Sequence, residues 1–172
     1  MARTHLVIGA ARSGKSRLAE ALAAQRPPVV YLATAQPGDD EMRERIRLHR
    51  ERRAAAWTTI ETPRDVADAI AAHGTDGTIL VECVTLWISN HLLATPQPDA
   101  AEIRRHVDTA IAAARSVAAD VVWVTNEVGS GIVPDNPLAR HFRDVLGETN
   151  QRLAAAADTV TLSVAGIGVK LK

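Results

Sequence analysis

The periodicity of apolar and polar positions switches repeatedly along this chain, and each switch marks an element. Short β-prone runs occur at Thr4–Ile8, Val29–Thr34, Trp57–Glu61, Thr78–Glu82, Val121–Thr125 and Thr159–Val164, bounded by the Gly, Pro, Asn and Asp that delimit strands. Between them lie stretches rich in Ala, Leu, Ile and charged residues: Arg17–Gln25, Asp39–Arg53, Arg64–Ala72, Val84–Leu93, Asp99–Ala118 and a run from Asp135 to Ala157. These read as helices. Arg26-Pro27-Pro28 breaks the first, Pro63 opens the third, and His73–Gly77 closes it. Thr95-Pro96-Gln97-Pro98 is a loop, and Ala165–Lys170 a glycine-punctuated tail. Strand, helix, strand implies a right-handed parallel crossover. The alternation shows no fixed-period repeat and no low-complexity linker, so it predicts one α/β domain over residues 1–172, built on a mostly parallel sheet.

One predicted helix departs from the pattern of a core element. Between Asp39 and Arg53 the apolar residues other than alanine are Met42, Ile46 and Leu48, against six arginines. That stripe is too narrow for a helix packed on a sheet, so this one is expected to project from the body or lie across a subunit boundary. His49 sits near its C-terminal end, with Arg45 one turn before and Arg53 one turn after on the same side. Flanking positive charge disfavours imidazolium and keeps the ring neutral, the form that acts as a nucleophile. The same arginines suit a phosphate. The composition equally fits a solvated, charged helix with an incidental histidine.

Phosphate chemistry is written most plainly in Gly9-Ala10-Ala11-Arg12-Ser13-Gly14-Lys15-Ser16, which satisfies G-x-x-x-x-G-K-[ST] between a strand and a helix. Glycines let the backbone wrap phosphate, N–H groups converge at the helix start, and the helix dipole favours the anion. Lys15 is expected to reach the β/γ-phosphates and Ser16 to sit on Mg²⁺. Thr78-Ile79-Leu80-Val81-Glu82 reads as a buried strand ending in a carboxylate, so Glu82 is a second candidate for the metal, or a base. The strand at 121–125 runs into Asn126–Pro134, a loop at the same sheet end, where ligand crevices form.

Composition narrows the partners. Lys plus Arg and Asp plus Glu are 20 each, and aromatics make up 3%, which argues against a general nucleic-acid binder. Cys83 is the only cysteine, so a disulfide framework or cysteine-rich zinc site is excluded and a reducing cytoplasm fits. No apolar run approaches membrane-spanning length, and the phosphate loop follows the first residue too closely for a signal peptide.

Several stretches together resemble one family: GAARSGKSRLAE at 9–20, YLATAQPGDDEMRERIRLHR at 31–50, ILVECVTLW at 79–87, VTNEVGSGIVPDNPLARHFRD at 124–144, NQRLAAAAD at 150–158 and GIGVK at 166–170. The chain resembles the bifunctional adenosylcobinamide kinases / adenosylcobinamide-phosphate guanylyltransferases of cobalamin biosynthesis. The resemblance implies a three-layer P-loop NTPase (RecA-like) fold and a homotrimer. It implies phosphorylation of adenosylcobinamide by ATP or GTP, then transfer of GMP from GTP to adenosylcobinamide phosphate through a guanylylated histidine. His49 occupies the matching place; members often carry two adjacent histidines there, but here Leu48 precedes His49. The resemblance also carries Thr34, Arg50, Glu51, Arg52, Arg53, Glu61 and Glu82 over as nucleotide contacts, with the run at 50–53 a looser match. A single-activity small-molecule kinase and a nucleotide-switched RecA-like binding module are the alternatives.

Overall fold

The computed structural model describes residues 2–95 and 99–172, apart from the side chains of Arg45 and Arg52. Six strands and six helices follow in the predicted order, alternating except where α4 leads directly to α5: β1 (Thr4–Gly9), α1 (Lys15–Ala23), β2 (Val29–Ala33), α2 (Asp40–Arg52), β3 (Thr58–Glu61), α3 (Val66–His73), β4 (Thr78–Glu82), α4 (Val84–Leu92), α5 (Ala100–Ser116), β5 (Asp120–Asn126), α6 (Pro137–Ala156) and β6 (Thr159–Val164). The predicted loop after α4 falls partly outside the described residues, at 96–98.

The sheet order is β3-β2-β4-β5-β1-β6-β7, with the first six strands parallel. The seventh, β7 (Ile167–Lys170), corrects the reading of that segment as a tail. It turns back antiparallel on β6 through Ala165 and Gly166, both at positive φ (51° and 82°), the geometry of a tight two-residue hairpin. All four β7 residues are exposed, so the strand lacks the buried alternation by which sequence reveals strands.

Side-chain alternation along the central strands splits the core in two. Leu6, Ile79, Val81, Val121 and Trp123 face α3–α6, where Trp87, Ile88, Val107, Leu146 and Leu153 are buried. Val7, Leu80, Val122 and Val124 face α1, burying Ala19, Ala23 and Tyr31. The result is the three-layer arrangement. Each fully buried Leu, Ile or Val contributes roughly 1.5–3 kcal/mol relative to exposure, so the central strands are the rigid part of the molecule.

Asn136 caps α6 by accepting from the Leu138 and Ala139 N–H groups, and Pro137 follows at the first turn. Asp39 caps α2 through the Met42 N–H. Beyond its caps α2 has little to hold it. None of its described side chains is buried, and its internal contacts are exposed ion pairs: Arg43–Asp40 at 2.8 Å, Arg47–Glu44 at 2.6 Å, and Arg47–Glu51. Such pairs stabilise an exposed helix by only a few tenths of a kcal/mol each. The narrow apolar stripe is reflected in this exposure.

Candidate active site

The helix of the phosphate loop begins two residues earlier than the sequence suggests, so Lys15 and Ser16 belong to the first turn of α1. Gly14 is its N-cap, at φ 95°, and a Cβ there would lie 2.8 Å from Cα of Gly166. Glycine is therefore required twice over, by conformation and by closeness. The contact arises because the β6–β7 turn braces the loop: the Gly166 N–H and the Ser163 hydroxyl both donate to the Ser13 carbonyl at 2.8 Å. The GIGVK segment thus supports the loop from behind.

Lys15 Nζ donates to the Ala10 carbonyl at 3.1 Å, so the ammonium is already folded over the loop. Burial lowers its pKa from the ordinary lysine value, and the nearby Glu82 carboxylate opposes that shift. The Ser16 hydroxyl donates to Glu82 Oε1. β4 carries Glu82 to this point, one strand removed from β1, and α1 packs across β5 and β4 to bring Ser16 over it. The strand-end carboxylate and the loop serine therefore meet as expected.

Both groups line a cavity of about 1390 Å³, roofed by α2. His49 lines it as well, and single ligand atoms of His49, Glu82 and Glu20 lie within 4.8 Å of one another. The C-terminal end of α2 is tied down on the far side. Arg53 lays its guanidinium 3.5 Å from the centroid of the Tyr31 ring, and Arg50 pairs with Glu61 at the end of β3. Tyr31 is itself buried; burial first, and Glu82 second, hold its hydroxyl protonated. Residues 11–16 and Arg50, Glu51, Arg53 and Glu61 all line the cavity. Glu51 turns toward Arg47. The Arg52 side chain lies outside the described atoms.

Thr34 does not line the cavity. Fully buried, it clamps the backbone after Glu82: its hydroxyl donates to the Cys83 carbonyl at 2.8 Å and accepts from the Cys83 N–H at 2.7 Å. It acts on the site by fixing the strand end that presents Glu82. Cys83 stays a neutral thiol, because burial pushes its pKa up to about 11.

Tyr31 and Glu20 escaped the sequence reading, and Asn126 was read only as the first residue of a loop at the crevice end of the sheet. Tyr31 and Asn126 line the cavity, and Glu20 brings a carboxylate oxygen within 4.8 Å of ligand atoms of His49 and Glu82. Asn126 ends β5 beside Gly9, its N–H donates to Thr85 Oγ1 at 2.9 Å, and its Oδ1 is buried without a hydrogen-bond partner among the described residues. Its place at a strand tip next to the phosphate loop was the available signal. Glu20 has the i+4 spacing from Ser16, too common on helix surfaces to stand out.

A parallel sheet with G-x-x-x-x-G-K-S between its central strand and α1, and an acidic strand tip beside the loop serine, defines a P-loop NTPase of RecA-like type. The RadB recombinase structure shares that fold, with a TM-score of 0.52 at 15% identity over 93% of this chain and 73% of that one. The family model described as cobinamide kinase / cobinamide phosphate guanyltransferase matches residues 5–171. The bifunctional adenosylcobalamin biosynthesis protein CobU of Salmonella typhimurium is 52% identical, the match covering 97% of this chain and 98% of that protein. The protein of the same name from Escherichia coli is 47% identical over the same shares. The chain belongs to the cobinamide kinase / cobinamide phosphate guanyltransferase family. No helix among the described residues is long and apolar enough to cross a membrane.

Proposed function

We propose that one domain, spanning this chain, catalyses two successive transfers: phosphorylation of the adenosylcobinamide hydroxyl with ATP or GTP, then GMP transfer from GTP to adenosylcobinamide phosphate, giving adenosylcobinamide-GDP and pyrophosphate. The observation that carries the reading is a nucleophile beside a triphosphate cradle: His49 shares one cavity with Lys15, Ser16 and Glu82. A kinase alone has no use for that histidine. The family match and the relatives' names support the same pair of reactions.

The phosphate loop holds the triphosphate in both steps. For phosphoryl transfer, positioning and charge neutralisation by the loop amides and Lys15 supply most of the effect. For guanylyl transfer the neutral ring of His49 attacks the α-phosphorus, and pyrophosphate leaves toward Lys15. Arg50 and Arg53, with Glu51 and Glu61, border the nucleotide, the family resemblance adds Arg52 as a contact, and Thr34 supports Glu82 from the core. The Ser16 hydroxyl against a Glu82 carboxylate is a pair of hard oxygen donors at the loop, a set that fits Mg²⁺. Bound there, Mg²⁺ supplies charge neutralisation on the phosphates.

The exposed apolar side chains Val164, Ile167, Val169 and Leu171 along the edge hairpin suit burial between subunits, and the family resemblance makes that assembly a homotrimer, in which a neighbouring subunit helps enclose the large corrinoid. The single cysteine fits a cytoplasmic setting. The test incubates the purified protein with adenosylcobinamide, GTP and Mg²⁺ and resolves the products by mass, alongside sedimentation. Adenosylcobinamide-GDP and a trimeric mass are expected, with EDTA stopping both transfers; accumulation of adenosylcobinamide phosphate alone would reduce the protein to a kinase.

A further inference from the structure

We infer that Glu20 is a positioning residue for guanylyl transfer, its carboxylate taking the proton-bearing nitrogen of the His49 ring so that the other nitrogen meets the α-phosphorus. The inference rests on His49 being the guanylyl acceptor. A ring nitrogen of His49 and a carboxylate oxygen of Glu20 lie within 4.8 Å, a separation from which a small side-chain adjustment would make a hydrogen bond. Glu20 projects one turn beyond Ser16 on α1, at the same side of the helix, half-buried. His49 and Glu82 line the cavity, whereas Glu20 does not. A carboxylate beside the ring and outside the cavity lining is placed to orient the imidazole rather than to meet the nucleotide.

Two carboxylates approach the ring, and their positions separate their roles. Glu82 already accepts from Ser16 and is the acid at the proposed metal position. Glu20 stands one turn further along α1, where its carboxylate, the ring and Glu82 come within 4.8 Å of one another. Glu20, His49 and Glu82 also have ligand atoms spaced for a divalent cation. A cation on His49 would occupy the lone pair that the reaction needs, so the ring is better served by a carboxylate hydrogen bond than by a metal.

The chemistry gives the carboxylate a specific task. The lone pair of one ring nitrogen forms the bond to the α-phosphorus; the bond from that phosphorus to the bridging oxygen breaks, and its electron pair leaves with pyrophosphate. The other nitrogen keeps its proton throughout, and the ring becomes cationic. A carboxylate on that N–H selects the tautomer and stabilises the cation, as an acid does for a catalytic histidine in a triad. In the second step an oxygen of the substrate phosphate attacks the same phosphorus, the nitrogen–phosphorus bond breaks, and its electrons return to the ring. No proton needs to enter or leave.

The experiment measures the rate of covalent labelling by α-labelled GTP across a range of GTP concentrations. The variants are Glu20→Gln, Glu20→Asp and His49→Asn, with GTP affinity titrated separately and His49 ring nitrogen shifts recorded by NMR. For Glu20→Gln the maximal labelling rate is expected to fall about 10- to 100-fold, the usual cost of removing a supporting carboxylate, with GTP affinity within about twofold. Its His49 shifts should move toward a mixture of tautomers. Glu20→Asp, which keeps the charge, should recover part of the rate. An unchanged rate in Glu20→Gln, a loss that follows GTP affinity alone, or equal losses in Glu20→Gln and Glu20→Asp overturns the inference. A wild type that takes no label, or label persisting in His49→Asn, overturns the underlying reading instead.

Discussion

Helices α1 and α2 meet at one cavity, but they are held in opposite ways. α1 buries Ala19 and Ala23 against the sheet, and the loop that opens it is braced by Ser163 and Gly166 from the opposite end of the chain. α2 buries none of its described side chains and carries its own surface ion pairs. A triphosphate cradle must be stiff, because both transfers start from the same nucleotide. A nucleophile that serves only one of them gains from standing on an element that moves at little cost. Attack at the γ-phosphorus and attack at the α-phosphorus require different neighbours, and the contrast between a fixed loop and a loosely held helix provides both.

That contrast breaks most sharply at Lys15. Lys15→Ala removes the cation from the shared cradle, so both transfers should fall, each by roughly 10²–10³-fold, the cost of losing one preorganised charge-stabilising donor. Parallel assays of phosphorylated and guanylylated products check this; a variant that loses one reaction and keeps the other would deny that a single loop serves both.

A smaller effect is expected where α2 is tethered. Arg53 reaches across to the Tyr31 ring at 3.5 Å and to Thr59 Oγ1 at 3.3 Å, anchoring the end of the helix that carries His49. Arg53→Gln loses a cation–π contact of about 0.5–1 kcal/mol, so GMP transfer should slow by roughly two- to fivefold while phosphorylation stays at its wild-type rate. Equal slowing of the two would place Arg53 on the nucleotide rather than on the helix position. Hydrogen exchange over residues 40–52 is the accompanying readout, and should rise in the variant.

Much of this contrast was legible in the chain itself. The phosphate loop announces itself because glycine, lysine and serine are needed at fixed spacing, and the central strands because two-sided burial leaves Ile79-Leu80-Val81 without a polar break. The thin apolar stripe of residues 39–53 foretold an exposed helix. What sequence hid depends on contacts between distant segments. The bracing of Ser13 by Ser163 and Gly166 joins residues 150 or more positions apart, and β7, exposed throughout, has no burial pattern to betray it. Thr34 looked like a nucleotide contact at a strand end, and just past the end of β2 its hydroxyl is engaged by both backbone groups of Cys83, a pairing between separate segments that sequence does not display. Glu20 was invisible because nothing in a helix surface residue says which ring will settle beside it.

Guanylyl transfer depends on His49 taking the guanylyl group while the phosphate loop holds the leaving pyrophosphate. The direct measurement incubates the protein with α-labelled GTP and Mg²⁺, denatures it, and maps retained label by peptide mass. One guanylyl group per chain is expected on the peptide carrying His49, stable to alkali, labile to acid and missing from His49→Asn. An unlabelled wild-type protein, or label recovered on any other residue, would contradict it.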